Sequence, residues 1–490
     1  MSKVPISFLC SASMIVFASP AFAQGAGNSS VEDEIVVTAQ KRAENVQDVP
    51  ISISVVTGEA IGESGIVRFE DLGSSIPNFS VSANASSDTI SIRGINSDGQ
   101  PGSEQSVGIY VDGVYRGRGV QSRFAFLDIE RIEVLRGPQG TLFGKNTIAG
   151  AVSITSAKPT SKLSAAVQGM YEFNHNEGDI RGHISGPLSD RLNGRIAFLY
   201  NQLNNGWATN ALTGAAMPRK RDWAVRGSLA WEVSDTVDIS ARYEHGSLRT
   251  RGAPFELVRI GPSLASVQSR FNFAGLNGQL DGITSISNSI NPLAAIGVPD
   301  QPTMFVDVAQ SEATSDEASL QADMDLGGGV LTAIAAYSTY AFSRDQDADS
   351  NPLPAARYID NEGFTQYSGE LRYASDASKP FYFLAGAFIQ REELLANSDA
   401  RLNFPFLDGF TCLGRGLARG CSPLGAFPVL SRFLELDQVS NSWALFGQAT
   451  YRPVESLSIT AGLRYGKNRK RGSHIGQVLN SNTGAIVPEP

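Results

Sequence analysis

Between Leu192 and Tyr200 the apolar residues Leu192, Ile196, Phe198 and Tyr200 share one parity of the chain, while Asn193 and Arg195 occupy the other. The alternation returns at Val225, Leu229, Trp231 and Val233 against Arg226, Ser228 and Glu232. It returns again at Val237, Ile239, Ala241 and Tyr243 against Asp238, Ser240, Arg242 and Glu244. Trp443, Leu445, Ala449 and Tyr451, then Leu457, Ile459, Ala461, Leu463 and Tyr465, repeat it near the end. A period of two with one apolar face predicts half-buried strands, and about eleven can be counted. They start near Leu163, Asp179, Leu192, Ala224, Val237, Ala313, Leu331, Thr365, Phe381, Ser442 and Leu457.

A soluble β-sandwich would show the same alternation, so the connections decide. Short joins at Gly186 to Asp190, Ser234 to Thr236, Gly327 to Gly329, Ser375 to Lys379 and Arg452 to Ser456 alternate with long ones. The long ones are Asn204 to Arg221, Arg249 to Pro302, Ser343 to Gly363 and Leu394 to Val439. Short turns on one side and long loops on the other are the asymmetry of an outer-membrane β-barrel. Aromatics near strand ends, among them Tyr171, Phe173, Tyr243, Tyr340, Phe342, Phe381, Tyr451 and Tyr465, fit its interfacial girdles.

Residues 48–160 follow another grammar, that of a small α/β domain. Ile51, Ile53 and Val55 alternate as a strand; Arg68 to Ser75 reads as a short helix ended by Pro77; Ile90 and Ile92 mark a further strand. Val107, Ile109 and Val111 run into Asp112-Gly113, a two-residue hairpin turn. A second short helix is expected around Gln121 to Leu127. From Asp128 to Thr155, β-prone runs alternate with Gly137, Gly140, Gly144 and Gly150, which reads as strands joined by positive-φ turns. A phosphate-binding loop does not fit this stretch, because Gln139 stands where its first glycine is needed and Asn146 where its hydroxyl residue is needed.

The remaining features set compartment and chemistry. Lys3, the apolar stretch Ile6 to Phe17 and the small-x-small site Ala21-Phe22-Ala23 predict a secretory signal peptide over 1–23. Residues 24–33 are small, polar and acidic, a flexible tether. The chain's 490 residues call for more than one domain, and its net charge of −9 argues against a nucleic-acid partner. Cys412 and Cys421, an even pair in an exported chain, suggest a disulfide closing a short loop. Neither a catalytic acid/base or nucleophile set nor a metal or cofactor motif is apparent. Asp345 to Asn351 is acidic, but without the glycine and glutamate of a calcium loop it reads as a solvated tip.

LRGPQGTLFGKNTIAGAVSI, with IRG at Ile92 to Gly94 and YVDGVY at Tyr110 to Tyr115, resembles the plug domain of TonB-dependent outer-membrane receptors. The likeness is strongest over Glu34 to Lys158. It implies a membrane β-barrel, antiparallel and of roughly 22 strands in the family, with a small N-terminal α/β plug inside the lumen. The boundaries become signal peptide 1–23, periplasmic arm 24–47, plug 48–160 and the N-terminal portion of the barrel 161–490. With about eleven strands expected, the chain reads as part of a receptor. A nonfunctional remnant is the rival reading, since an open sheet in lipid leaves backbone groups unpaired.

The resemblance also assigns residues and partners. Glu34, Ile35, Val36, Val37, Thr38 and Ala39 resemble the TonB box; the residues alone fit a first plug strand equally well, and the position after the tether favours the box. Ile95, Asn96, Ser97, Asp98, Gln100 and Glu104 lie in a polar loop that would face the ligand, or would be a plain connection. Arg93 and Arg136 resemble plug arginines that meet acidic residues of the barrel wall, or they hold the plug's own turns. The implied partners are TonB, with ExbB and ExbD in the inner membrane, outer-membrane lipid, and a small-molecule ligand such as a ferric siderophore, carbohydrate or other nutrient. A passive porin would lack plug and box. A signal-transducing receptor would carry a further domain before the box.

Overall fold

The computed structural model describes residues 36–480 and 486, apart from 39, 43, 67, 84–87, 98–101, 125, 210–215, 253–309, 348–355, 403–429 and 455. The signal peptide and tether expected at the N-terminus lie outside the described residues, as do Cys412 and Cys421.

The chain opens with the paired segments β1 (Val36–Val37) and β2 (Glu44–Asn45). The plug follows, with β3 (Ile53–Thr57), α1 (Gly58–Glu63), a 3-10 turn Phe69–Ser74, β4 (Phe79–Ala83), β5 (Asp88–Ile92) and β6 (Val107–Val111). Next come β7 (Val114–Arg116), α2 (Gly119–Ser122), β8 (Ile129–Arg136) and β9 (Gly150–Ser156). A five-stranded sheet in the order β3-β8-β9-β6-β7 is its centre, with β6 and β9 parallel, and β4 and β5 form a separate hairpin. The run VGIYV of β6 is apolar without interruption because the strand is buried on both faces. Ile90, Ile92, Ile109, Ile132 and Ile154 pack with Phe69 and Leu72 into the plug core. The helices are shorter than the sequence pattern suggests. The first is the 3-10 turn, whose Gly73 packs 3.5 Å from the Ser80 backbone at its Cβ position, and α2 stops at Ser122.

The wall comprises β10 (Ser164–Glu172), β11 (Glu177–Ser189), β12 (Leu192–Leu203), a small side hairpin β13 (Ala208–Thr209) and β14 (Ala216–Met217), then β15 (Arg219–Ser234) and β16 (Val237–Arg251). It continues through β17 (Gln310–Asp325), β18 (Gly329–Asp347), β19 (Ala356–Ser375), β20 (Phe381–Leu402), β21 (Leu430–Val454) and β22 (Leu457–Asn480). Leaving out the side hairpin, these form one 11-stranded sheet in which chain neighbours pair, antiparallel throughout. The count matches the sequence reading, but several strands run further at the long-connection end. β15 begins at Arg219 rather than Ala224, β19 at Ala356 rather than Thr365, and β21 at Leu430 rather than Ser442. Backbone pairing continues there while the apolar parity fades. Beyond the hydrocarbon layer both faces meet water, and nothing enforces alternation.

Exposure along the wall is inverted relative to a soluble protein. Leu463 is 76% exposed and Ile196, Leu229, Trp231 and Leu445 are exposed with it, whereas Arg226 is 2% exposed and Arg195, Glu244 and Glu317 are buried. An apolar outer face this extensive is stable against lipid, with the polar parity turned to the plug.

In the glycine-rich stretch Gly137, Gly144 and Gly150 have positive φ, with Asn146, while Gly140 does not. Gly150 is the tightest of these: a Cβ there would lie 2.2 Å from the Leu135 carbonyl oxygen and 2.8 Å from Ile92 Cδ1. Gly150→Ala should therefore destabilise the plug by roughly 2–4 kcal/mol through backbone clash and strain. The readout is protease resistance of the plug in urea, with wall strands unaffected.

Candidate functional site

The chemistry gathers where the plug meets the wall. The turn between β6 and β7 has positive φ at both Asp112 and Gly113, a primed hairpin turn that aims Asp112 at the wall. Its carboxylate accepts the Ser156 N–H at 2.8 Å and Arg242 Nη1 at 3.0 Å. Burial pushes Asp112 up, but Arg242 and Arg226 outweigh it and hold the carboxyl below the usual carboxylate range. Arg116, at the end of β7, is fully buried and donates to the Gln121 carbonyl at 3.2 Å and to Glu317. Asp128, entering β8 in the left-handed region, accepts both Arg195 Nε at 2.6 Å and Nη2 at 2.5 Å.

On the wall side, Arg226 donates through Nε to Glu244 at 2.7 Å, and Arg242 Nη2 lies 3.1 Å from Glu317. Four arginines (116, 195, 226 and 242) thus balance four carboxylates (112, 128, 244 and 317) in one layer. Such groups are tolerated away from water because each is paired. Removing one partner from a buried pair costs about 3–5 kcal/mol, since it strands the other. Gln121, which donates to the Ser338 hydroxyl at 2.9 Å, and Gln366, which donates to the Tyr115 carbonyl at 2.7 Å, extend the layer with neutral contacts.

Below this layer lies the arm. Val37 is fully buried, and Thr38 donates its N–H to both oxygens of Glu133, at 2.9 and 3.0 Å, and its hydroxyl at 3.1 Å. Glu133 sits on β8 and is also held by Arg131 Nε at 2.9 Å. Lys41 reaches across to the wall, 2.6 Å from Glu370, with its ammonium 5.0 Å from the Phe446 ring centre. Burial pulls Lys41 down to about 8, against the opposing effect of Glu370. Arg42 donates to the Ser375 carbonyl at 2.8 Å. Of the box expected from sequence, Val37 is buried with Leu384 and Phe446 of the wall and Thr38 is tied to the plug; Val36 is exposed and pairs with Asn45 of the arm itself, and Glu34, Ile35 and Ala39 lie outside the described residues.

In the loop expected to face a ligand, Ile95 and Asn96 are exposed and Asp98 and Gln100 lie outside the described residues. The Glu104 carboxylate is occupied by Lys145, Asn146 and Lys470, tying the plug to β22. Burial would raise Glu104, but Lys145, Lys470 and Asn146 hold it down at about 2. Lys145 also bridges to Glu392 at 3.1 Å. Arg136 donates to the hydroxyls of Ser54 at 2.6 Å and Ser52 at 3.4 Å, within the plug. Arg93 is exposed, with φ of 53°, its guanidinium near Gly137. Asp345 accepts from Arg357 on the facing strand.

Sequence reasoning did not single out Asp112, Arg116 or Asp128 as wall contacts. The available signal was on the wall: Arg226, Arg242 and Glu244 occupy the polar parity at matched heights, with Arg226 opposite Glu244. Which plug residues meet them depends on docking.

Two cavities flank the layer. One of about 510 Å³ opens towards the long connections, lined by Arg68, Phe69, Glu70 and Arg123 of the plug and by Lys220, Asp222 and Trp223 of the wall. The other, about 700 Å³, lies at the short-turn end, with Thr38, Lys41 and Arg42 among its lining residues.

Residues 45–151 match the TonB-dependent Receptor Plug Domain family. The chain is 30% identical over 199 residues to the pesticin receptor of Yersinia pestis, a match covering 40% of this chain and 29% of that protein. It is 32% identical over 192 residues to an iron-regulated outer membrane virulence protein of Vibrio cholerae, covering 36% of this chain and 28% of that one. In fold it is similar to the ferric yersiniabactin uptake receptor of Yersinia pestis, with a TM-score of 0.65, 19% identity, and coverage of 88% of this chain and 58% of that one. The ferripyoverdine receptor of the Pseudomonas aeruginosa outer membrane gives 0.59 at 14% identity, covering 90% and 56%. The chain thus matches under two thirds of these relatives' own length.

Asp128→Asn keeps a residue that tolerates positive φ and removes a charge, so it isolates the ion pair with Arg195. Plug docking should weaken by about 3 kcal/mol, read as faster protease cleavage of the plug in the intact protein. The Glu104 tie has a pH signature. Its carboxyl is held below the ordinary 4.5, so its contribution is fully present above pH 4.5 and is lost as pH falls through about 2. Glu104→Gln should remove that acid-dependent step from a protease-protection titration.

Proposed function

Because this chain belongs to the TonB-dependent receptor family, whose members reside in the outer membrane of Gram-negative bacteria, we propose that it imports a scarce ligand across that membrane. The energy comes from the inner-membrane proton gradient through TonB, ExbB and ExbD. The observation that carries this reading is the docking of Val37 and Thr38, part of a short β-prone segment that Thr38 ties through Glu133 to strand β8 of the plug. Once undocked, such a segment offers its backbone as an edge strand to a partner sheet, with alternate side chains supplying specificity. TonB would pair with Glu34 to Ala39 and pull on β8.

The ligand class we favour is a ferric siderophore. Support comes from the names of the similar proteins, an iron-regulated outer membrane protein and a ferrioxamine B receptor of Salmonella typhimurium among them. The ligand would enter from the long-connection side and meet the loop around Ile95 and Asn96. Arg93, whose guanidinium lies near Gly137, and Arg136, now held by Ser52 and Ser54, would meet wall carboxylates as the plug shifts. The family works as transporters, so no catalytic step is assigned.

The test is Val37→Pro, which removes a backbone donor and the edge-strand geometry. Crosslinking of a Val36→Cys variant to TonB and energised uptake of a ferric siderophore panel should both occur, and Val37→Pro should abolish them while surface binding of the same siderophores is kept. Uptake that persists in cells lacking TonB would instead support a passive pore.

A further inference from the structure

The outward parity of β15 carries an apolar band with an aromatic at each end. Trp223 stands towards the long-connection end, which is extracellular in such walls, and Trp231 towards the short-turn end; both are exposed, as are Val225 and Leu229 between them. From Trp223 to Trp231 is roughly 27 Å along the strand. A tilt of about 40° reduces that to about 21 Å of height, close to the ~25 Å apolar band of an outer-membrane wall. Tyr200 of β12 is paired with Trp223, and the His245 ring of β16 lies 5.1 Å from the Trp223 ring. These rings mark the boundary between hydrocarbon and water on the extracellular side.

Directly beyond that boundary the outward parity turns basic. Arg221 and Arg219 lie beyond Trp223 on β15, and β16 faces them with arginines as well, Arg221 opposite Arg249 and Arg219 opposite Arg251. All four are exposed. Opposite side chains have Cβ atoms about 5 Å apart, and the two pairs are about 7 Å apart along the strands. Like charges so placed work against the pairing of their strands. Among the described residues one carboxylate contacts the four, that of Glu312 on β17, 2.9 Å from Arg249 Nε. On its other side Arg221 meets Gln202 of β12, which is neutral. The order recurs on β22, where Lys467, Arg469 and Arg471 follow Tyr465 on the parity of the exposed Leu463.

We infer that Arg219, Arg221, Arg249 and Arg251 form a binding site for the phosphate groups of the outer-leaflet lipid, a phosphorylated glycolipid in the membrane where this family resides. Arg221 lies about 5 Å and Arg219 about 10 Å above the aromatic boundary, the depth of lipid headgroups. The four side chains are turned away from the lumen, out of reach of any cargo. Lys220, between Arg219 and Arg221, has the opposite parity and lines the cavity beside the plug. Guanidinium rather than ammonium groups suit the task, because their planar fork grips phosphate oxygens bidentately. A phosphate seated between facing arginines cancels the repulsion that strand pairing imposes on them, so the lipid also fastens β15 to β16. This site serves the wall whatever the chain imports.

The experiment uses the full chain extracted from outer membranes into mild detergent and freed of lipid, with binding read by native mass spectrometry. The probes are lipid A bearing two phosphates, the same glycolipid without phosphate, and inorganic phosphate. The phosphorylated form should bind at least about tenfold more tightly than the dephosphorylated one, the gain expected of a charge-assisted hydrogen bond. Arg221→Gln combined with Arg251→Gln should abolish that preference, and Arg221→Lys combined with Arg251→Lys should keep part of it. Arg391→Gln, which removes an exposed wall arginine already paired with Glu393, should leave it intact. Without lipid the glutamine double variant should melt no lower than the parent, since repulsion between strands is relieved; with lipid A the parent alone should gain stability. Equal binding of the two glycolipids, a preference that survives the double variant, equal loss in Arg391→Gln, or displacement of lipid A by inorganic phosphate at equal concentration would overturn the proposal. A lower melting temperature of the lipid-free double variant would overturn it too, by giving the arginines a purely structural role.

Discussion

The plug is held in the wall by charges that burial forces to pair. Four guanidinium groups and four carboxylates meet in one layer, three of the eight supplied by the plug and five by the wall. Burying an ion costs on the order of several kcal/mol, repaid only by close and complete partnering. The layer is thus strong while intact and weak once a member is displaced, a property that apolar packing does not have. The import reading, in which the plug both seals a lumen and is moved, calls for such a contact. The Lys41–Glu370 bridge and the Glu104 tie to Lys145 and Lys470 use the same physics at the two ends of the plug.

That layer exists because the wall is turned inside out relative to a soluble sheet. Lipid takes the apolar parity, so residues such as Leu229 and Trp231 are left outside, and the polar parity has the plug as its partner. The plug has the reverse constitution. Its core of Ile90, Ile92, Ile109, Ile132 and Ile154 is dry and self-contained, and its rim is polar. The boundary between the two is therefore where water, charge and cavity space collect.

Much of this was legible in the sequence. Period-two alternation and the asymmetry of connections give the strand count and the outward face, and Asp112-Gly113 gives the turn that carries a carboxylate of the charged layer. Strand ends at Arg219, Ala356 and Leu430 were not legible, because outside the hydrocarbon layer no face is apolar. The charged layer was half legible. Arg226, Arg242 and Glu244 show their parity, but Asp128 and Arg116 are ordinary loop and strand residues until the plug is docked. The segment Glu34 to Ala39 resembles a TonB box and on its residues alone fits a first plug strand equally well; the arm's seating on Glu133 and Glu370 depends on contacts 95 and 329 residues away in sequence, beyond the reach of local pattern.

The most direct test of the coupling between the arm and the charged plug–wall layer is hydrogen exchange of the full chain, followed by mass spectrometry, with and without the TonB C-terminal domain under load on the arm. Loss of protection in β8 and in the β6–β7 hairpin, with β15 to β17 still protected, is the expected result. Loss of protection in the wall strands, or in the arm alone with β8 unchanged, would contradict the account.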